Sequence, residues 1–427
     1  MQLYEIRQKF KETKVTDLKT VIRTELQKNQ KLNSLPDQAE IAITAGSRGI
    51  ENITRILKET IAYLEENNYR PFIVPAMGSH GGATAEGQLE VLHHLGITEE
   101  TMGVPIRSTM EAVHLGNTPE NLPVYMDEHA YRADGILVIN RVKAHTAFNG
   151  KVESGLSKMV TVGLGKQKGA SFVHAQGAGK MEHNILAISQ LALANSPICM
   201  GLAIIENGYE ETAIIKGVAT DEWHAAEREL LRQSKLLMPS LPLAEFDVLV
   251  IEEIGKNYSG TGMDPNIIGR LRIDGVPEPA ETTIKRVVSL DLSEQSQGNA
   301  QGIGLADFTT EKLINKIDRK ATYMNAITST FLRRVMFPMF YATEEEALEA
   351  AFTSLGPDMD QHDITYIQIP NSLHLDRLFV SEKALQKIDS KNIAYEIVRK
   401  LYLEFEDGEI KNRLLKRSAN RLRRSGI

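Results

Sequence analysis

The sequence predicts an α/β protein: two αβ domains with mostly parallel sheets and an active-site cleft between them. Three observations carry this. Short apolar runs of strand length alternate with segments of helical periodicity. Several of those runs end directly in glycine-rich polar loops, where parallel α/β sheets place their ligands. A chain of 427 residues is also long for one core, so two domains are expected. The prolines of Pro239-Ser240-Leu241-Pro242 end a helix and suggest a division into 1–240, a cofactor-binding domain with catalytic loops, and 241–427, an αβ domain closing the cleft.

Leu3, Ile6 and Phe10, then Leu18, Val21, Ile22 and Leu26, fall at helical spacing and predict one or two opening amphipathic helices. Ala39 to Thr44 reads as a strand, broken by Gly46-Ser47-Arg48-Gly49. Ile53, Ile56, Leu57, Ile61 and Leu64 predict a helix. Pro71 to Ala76 is a second strand, running into Gly78-Ser79-His80-Gly81-Gly82-Ala83-Thr84, and Ala85 to Leu95 is helical. Gly135 to Asn140 is a third, buried strand. A helix at Ile185 to Ala194 and strands at Cys199 to Ile205 and Ala213 to Val218 follow. Beyond the prolines, Phe246 to Ile251 opens a new αβ run and ends in the polar loop Gly255 to Asn266. Strands at Val287 to Leu292 and Ile364 to Ile369, a helix near Thr310 to Phe331 and a Glu-rich helix at Thr343 to Phe352 complete it.

Composition narrows the function classes. Hydrophobic residues at 42% and charged residues at 25% are those of a globular protein. A net charge of −7 argues against nucleic acid as the main partner. The local exception, Lys411 to Arg424, carries seven basic residues and no acid, and reads as the solvated face of a terminal helix. The single cysteine, Cys199, rules out an internal disulfide, a cysteine zinc site and an Fe–S cluster. There is no basic-then-apolar leader, and no apolar run approaches the roughly 18 residues that span a bilayer. A cytoplasmic protein with no membrane partner is expected.

The chemistry concentrates in the glycine loops. Ser47 and Arg48 lie between a strand and a helix, where amide groups and a guanidinium suit a phosphate, although the Walker spacing is absent. His80 stands among small residues that leave its ring open to a ligand, and imidazole gives and takes protons near neutrality. The richest stretch is Asn140 to His174. Arg141, Lys143 and His145 follow the apolar strand directly, a basic cluster for a carboxylate or phosphate with His145 as acid or base. Lys158, set among apolar and small residues, suits a charge clamp, a base or a covalent anchor. His174 alone reads as a packed histidine unless a cofactor brings most of the metal donors. His93, His94, His114, His129, His183, His224, His362 and His374 have no partner motif and read as structural or surface residues.

These residues resemble the lactate racemase superfamily, whose enzymes use a nickel-pincer nucleotide. The resemblance covers most of the chain in length and element order and is sharpest from Ala39 to His174. It lies in Arg48 of T-A-G-S-R-G, His80 of G-S-H-G-G-A-T, and the series His145, Lys158 and His174. It implies that Lys158 tethers the cofactor as a thioamide and that His174 is the one protein ligand to nickel. His80 and His145 would be the paired acid/base residues, and Arg48 and Ser47 would hold the cofactor phosphate. The implied activity is racemisation or epimerisation of a 2-hydroxy acid by hydride transfer, with cofactor-synthesis proteins as partners. Lys151 competes with Lys158 for the tether. Gly81-Gly82 stand where lactate-racemising members carry Arg-Pro, the stretch from His145 to Lys158 is longer, and Leu156-Ser157 replace a glycine pair, which alters the pocket wall. Lys256, on the Gly255 to Asn266 loop, is the expected cation for the substrate carboxylate, with Lys143 or Arg141 as substitutes. The alternative is a redox or lyase-type enzyme with a histidine-bound divalent metal and no covalent cofactor.

Overall fold

The computed structural model describes residues 1–175 and 177–415; the side chains of His174 and Ala175 lie outside the described residues, as does the basic tail from Lys416 onward. The chain forms two compact units, Glu12–Met238 and Met1–Lys11 with Pro239–Ile427. Both are mixed α/β with mostly parallel sheets. No helix among the described residues is long and apolar enough to cross a membrane.

In chain order the strands are β1 (Gln2–Gln8), β2 (Glu40–Ala45), β3 (Arg70–Pro75), the hairpin β4 (Ala112–Asn117) and β5 (Pro123–Asp127), β6 (Gly135–Arg141), β7 (Ile198–Glu206) and β8 (Thr212–Ala219). After the prolines come β9 (Glu245–Ile251), β10 (Thr283–Ser289), β11 (Phe308–Thr310), β12 (Met339–Tyr341), β13 (Tyr366–Ile369), β14 (Arg377–Ser381) and β15 (Tyr395–Tyr402).

The unit Glu12–Met238 is built on a sheet of order β3-β2-β6-β7-β8, parallel except for β8. Its strands are apolar on both faces because both faces are covered. Ile41, Ile43, Ile73, Leu137, Ile139, Leu202 and Ile204 pack with helices Leu18–Gln27 and Ile53–Glu66. The alternate residues Ala42, Phe72, Val74, Ile136, Val138, Ala203 and Ile205 meet Met181, Ile185 and Ile188 of helix Ala178–Ala194 and Trp223, Leu230 and Leu231 of helix Trp223–Leu237. Thr44 is the one buried polar residue of β2. Its hydroxyl donates to the Ile139 carbonyl and accepts from the Ile139 amide, stitching β2 to β6.

The other unit carries an eight-stranded sheet of order β12-β11-β10-β9-β13-β14-β1-β15, parallel from β12 to β13 and antiparallel beyond. Here two sequence expectations are corrected. Residues 2–8 form a strand, not the start of a helix. Both faces of β1 are covered and its pairing with β15 slips between Glu5 and Ile6, so Leu3 and Ile6 are both buried at a spacing that imitates a helix. Buried Glu5 there is paired with Arg377 and Arg399. The helix expected near Thr310 to Phe331 is two, Glu311–Asn315 and Arg319–Ser329. Asp318 caps the second by accepting from the Ala321 amide at 3.1 Å.

Candidate functional site

Three loops leave the carboxyl ends of neighbouring parallel strands: Gly46–Gly49 after β2, Gly78–Thr84 after β3 and Val142–Ser154 after β6. Parallel strands end on one edge, so the fold brings Arg48, His80 and His145 to the same side of the sheet although they are far apart in sequence.

The segment after the third loop lies across the other two. Leu156–Lys158 is a helical turn that continues as a π-helix, Met159–Gly163, a departure that recurs at functional sites. A Cβ on Gly46 would meet Met159 at 3.1 Å, and one on Gly78 would meet the Val162 carbonyl at 3.0 Å. The Gly78 amide donates to the Gly163 carbonyl at 3.1 Å. Glycine is required at Gly78, where φ is +61° and the near atom is backbone, whereas Gly46 meets only the flexible end of the Met159 side chain.

Lys158 is held against His145, with Nζ and Nε2 2.6 Å apart. The other ring nitrogen, Nδ1, accepts from the Ala147 amide at 3.1 Å, and the ring lies against Phe148 with centroids 4.6 Å apart. Lys158 keeps some accessible surface, yet protein crowds its amine. Burial first, then the charges of Arg48 and Lys143, pull its pKa down to about 8. Lys151, the competing tether, is exposed, and its amide donates to Glu182 at 2.6 Å.

The His145 loop is closed by a two-way backbone bridge between Lys143 and Ser154. Inside it sits the buried carboxylate of Glu153. Its Oε2 accepts from the His145 amide at 2.6 Å, and its Oε1 accepts from the Gly150 amide at 3.0 Å and from Lys235 Nζ at 2.6 Å. His80 donates Nδ1–H to the Met77 carbonyl at 2.7 Å, which makes Nε2 the basic nitrogen of its neutral ring. Beneath that loop Gln88 donates to the Gly78 carbonyl at 2.9 Å, and its Oε1 accepts from Lys166 Nζ at 3.0 Å. Lys166 is fully buried and paired with buried Asp127 at 3.0 Å.

Arg48 keeps an exposed surface, but its guanidinium is surrounded by protein, and this desolvation, with the charge of Arg141, lowers its pKa. Ser47 and Arg48 stand upstream of Asn52, the N-cap of helix Ile53–Glu66, so they do not themselves open that helix. Arg141 forms an ion pair with Glu206. Lys256 belongs to the other unit, where its amine donates to the Gly260 carbonyl at 2.7 Å and to Asn325 at 2.5 Å. His174 stands near the end of helix Lys166–Ala175, and its side chain lies outside the described residues. Among the described residues, no group of three or more His, Cys, Asp or Glu side chains gathers to hold a metal ion.

Sequence reading passed over Glu153, Glu227, Gln88 and Lys166. Glu227, on helix Trp223–Leu237, accepts from the Ser157 amide at 3.0 and 3.1 Å and from the Ser157 hydroxyl. Burial raises its pKa to about 7 against these donors. Only Glu153, an acid between apolar Val152 and a Ser-Gly pair, carried a local signal. The others are defined by distant partners.

No family model and no curated protein matches the sequence. The fold is similar to that of the lactate racemase apoprotein from Thermoanaerobacterium thermosaccharolyticum, with a TM-score of 0.54 over 87% of this chain and 99% of that one, at 13% sequence identity.

Proposed function

We propose that the protein is a racemase or epimerase of a 2-hydroxy acid, working through a nickel-pincer nucleotide tethered to Lys158. The fold likeness supports a racemase-type enzyme. The observation that carries the finer reading is the Lys158 amine, lowered to about 8 and set 2.6 Å from an imidazole nitrogen. A tether needs a usable neutral fraction of the amine near physiological pH; a pKa of about 8 leaves roughly a tenth neutral at pH 7, where an ordinary lysine leaves under about a thousandth.

The residues present fit such a group. Arg48 and Lys143 both act electrostatically on Lys158, and this surplus of positive charge suits a phosphate and a substrate carboxylate. Ser47 lies beside Arg48 in the same loop. His174 is the proposed nickel ligand by resemblance. When bound, the cofactor supplies a hydride acceptor that later returns the hydride, which spares the enzyme a carbanion at a weakly acidic Cα–H.

The chain's own task is proton handling and orientation. His80 Nε2 takes the hydroxyl proton of one stereoisomer. His145, on a loop of a different strand, takes it from the other at Nε2, once the Lys158 amine that this nitrogen faces has been consumed in the tether. Two bases on separate loops meet the demand that mirror-image substrates present their hydroxyl groups from opposite sides. Lys143 holds the carboxylate. Gln88 and Glu153 fix the backbones that carry the two histidines.

The test is direct. The chain is co-expressed with cofactor-synthesis proteins and its intact mass is measured. Added mass at Lys158, lost in Lys158→Ala, is expected, together with inversion of at least one acid from a panel of chiral 2-hydroxy acids. Unmodified protein without inversion overturns the proposal.

A further inference from the structure

We propose that Glu227 is a positioning residue for Lys158: its buried carboxylate clamps the backbone at Leu156–Ser157 and so sets where the lysine amine stands. The inference rests on the reading of Lys158 as the reacting amine.

Lys158 follows the clamped residues immediately. The amide groups that open a helical turn have no partner within it. Here Glu227 supplies one, with both oxygens on the Ser157 amide and Oε2 also on the Ser157 hydroxyl. That hydroxyl in turn accepts from Trp223 Nε1 at 3.2 Å, so one turn of helix Trp223–Leu237 grips the segment twice. Asn140, at the end of β6, donates to the Gly155 carbonyl at 2.7 Å. The contact is too close for any side chain at Gly155, where a Cβ would lie 2.2 Å from Glu227 Oε1. The backbone before the lysine is thus pinned from the sheet and from a helix.

An acid buried this deeply is costly to keep. A neutral hydrogen-bonding residue would cap the turn more cheaply. A carboxylate accepts from several donors at once, which fixes direction as well as depth.

The experiment measures the pH profile of Lys158 labelling in the full chain without cofactor. A trace of acetic anhydride is used, with exposed Lys19 as internal reference and peptide mass spectrometry as readout. The wild-type midpoint is expected near 8. In Glu227→Gln the amine loses its desolvated place beside Arg48 and Lys143. Its midpoint then rises toward the ordinary lysine range, and labelling at pH 8 falls about fivefold for the first unit of that rise and about tenfold for each further unit. Glu227→Asp falls between. If Glu227 acted on Lys158 through its charge alone, neutralising it would lower the midpoint instead, so the sign separates the two roles. An unchanged or lowered midpoint in folded Glu227→Gln overturns the inference. Should that variant not fold, Glu227→Asp, which keeps the charge but withdraws the carboxylate from the Ser157 amide and hydroxyl, is the deciding variant, and an unchanged or lowered midpoint there overturns the inference equally. Failure of the cofactor reading looks different: co-expressed chain of unmodified mass, with the midpoint shifts intact.

Discussion

The Nζ of Lys158 and the Nε2 of His145 lie 2.6 Å apart while the opposite ring nitrogen accepts from the Ala147 amide. The two contacts together fix a protonation state. A neutral imidazole that accepts at Nδ1 carries its proton on Nε2. Nε2 then donates, and the lysine can accept only as a neutral amine. With its pKa lowered to about 8, Lys158 reaches that neutral form for the most part only above pH 8, two units or more below an ordinary lysine.

Removing a neighbouring cation should relax the lysine. Arg48 and Lys143 disfavour the ammonium form, so Arg48→Ala or Lys143→Ala is expected to raise the Lys158 pKa from about 8. The rise should be a few tenths of a unit to about one unit. Amine labelling across pH reads it, and a downward shift would show that these charges do not act on Lys158.

His80→Ala and His145→Ala should each lower turnover of the reconstituted enzyme by ~10²–10⁴-fold. His80 is exposed and His145 half-buried, so thermal unfolding should barely move. A variant at wild-type rate with the same melting temperature removes that histidine from the scheme.

Glu227 should make stability fall as pH rises. Its folded pKa of about 7 exceeds the ordinary 4.5, so the folded state binds the extra proton between those values. Stability is therefore greatest below about 4.5 and declines through about 7, by an amount on the order of 3 kcal/mol at most. Glu227→Gln should remove this slope. Urea unfolding at pH 5 and pH 8, wild type against variant, measures the difference.

The pair Lys166–Asp127, 3.0 Å apart with both side chains fully buried, should resist single substitution. Lys166→Met strands a buried carboxylate and is expected to cost about 3–5 kcal/mol, whereas Lys166→Met with Asp127→Asn should cost less than the first change alone. Denaturant unfolding of the single and double variants decides it.

Gln88→Ala should loosen the His80 loop while leaving the fold. It deletes the donor to the Gly78 carbonyl and the acceptor for Lys166, for about 1–3 kcal/mol. Hydrogen exchange should quicken at residues 78–82 before it does in β3. Uniform exchange across both would show the loop is held by other contacts.

The parallel core was legible because its strands are buried on both faces and read as unbroken apolar runs: I-A-I-T in β2, F-I-V-P in β3, I-L-V-I in β6. The loops were legible for the same reason, since polar glycine-rich stretches beside such runs stand out. The strand β1 was not, because a bulge and two covered faces erase the alternation that marks a strand. The hairpin of β4 and β5 carries only the short apolar stretches A-V and V-Y-M, broken by His114, Gly116 and Asn117. At the site, residue types in the loops drew the eye to His80, His145 and Lys158. Glu227 sits amid the ordinary helical pattern A-A-E-R-E-L. Its role exists only once the helix after β8 folds back under the lysine, and no local pattern announces that.

The first eleven residues are claimed by the last third of the chain. β1 lies between β14 and β15, so residues 2–8 wait for partners made after residue 376. The unit Glu12–Met238 is an insertion between two pieces of its neighbour. It can finish folding during synthesis, while the eight-stranded sheet cannot close until β15, Tyr395–Tyr402, has been made. A nascent chain stalled at residue 370 should already protect the Lys158 segment from protease and leave residues 2–8 open to attack.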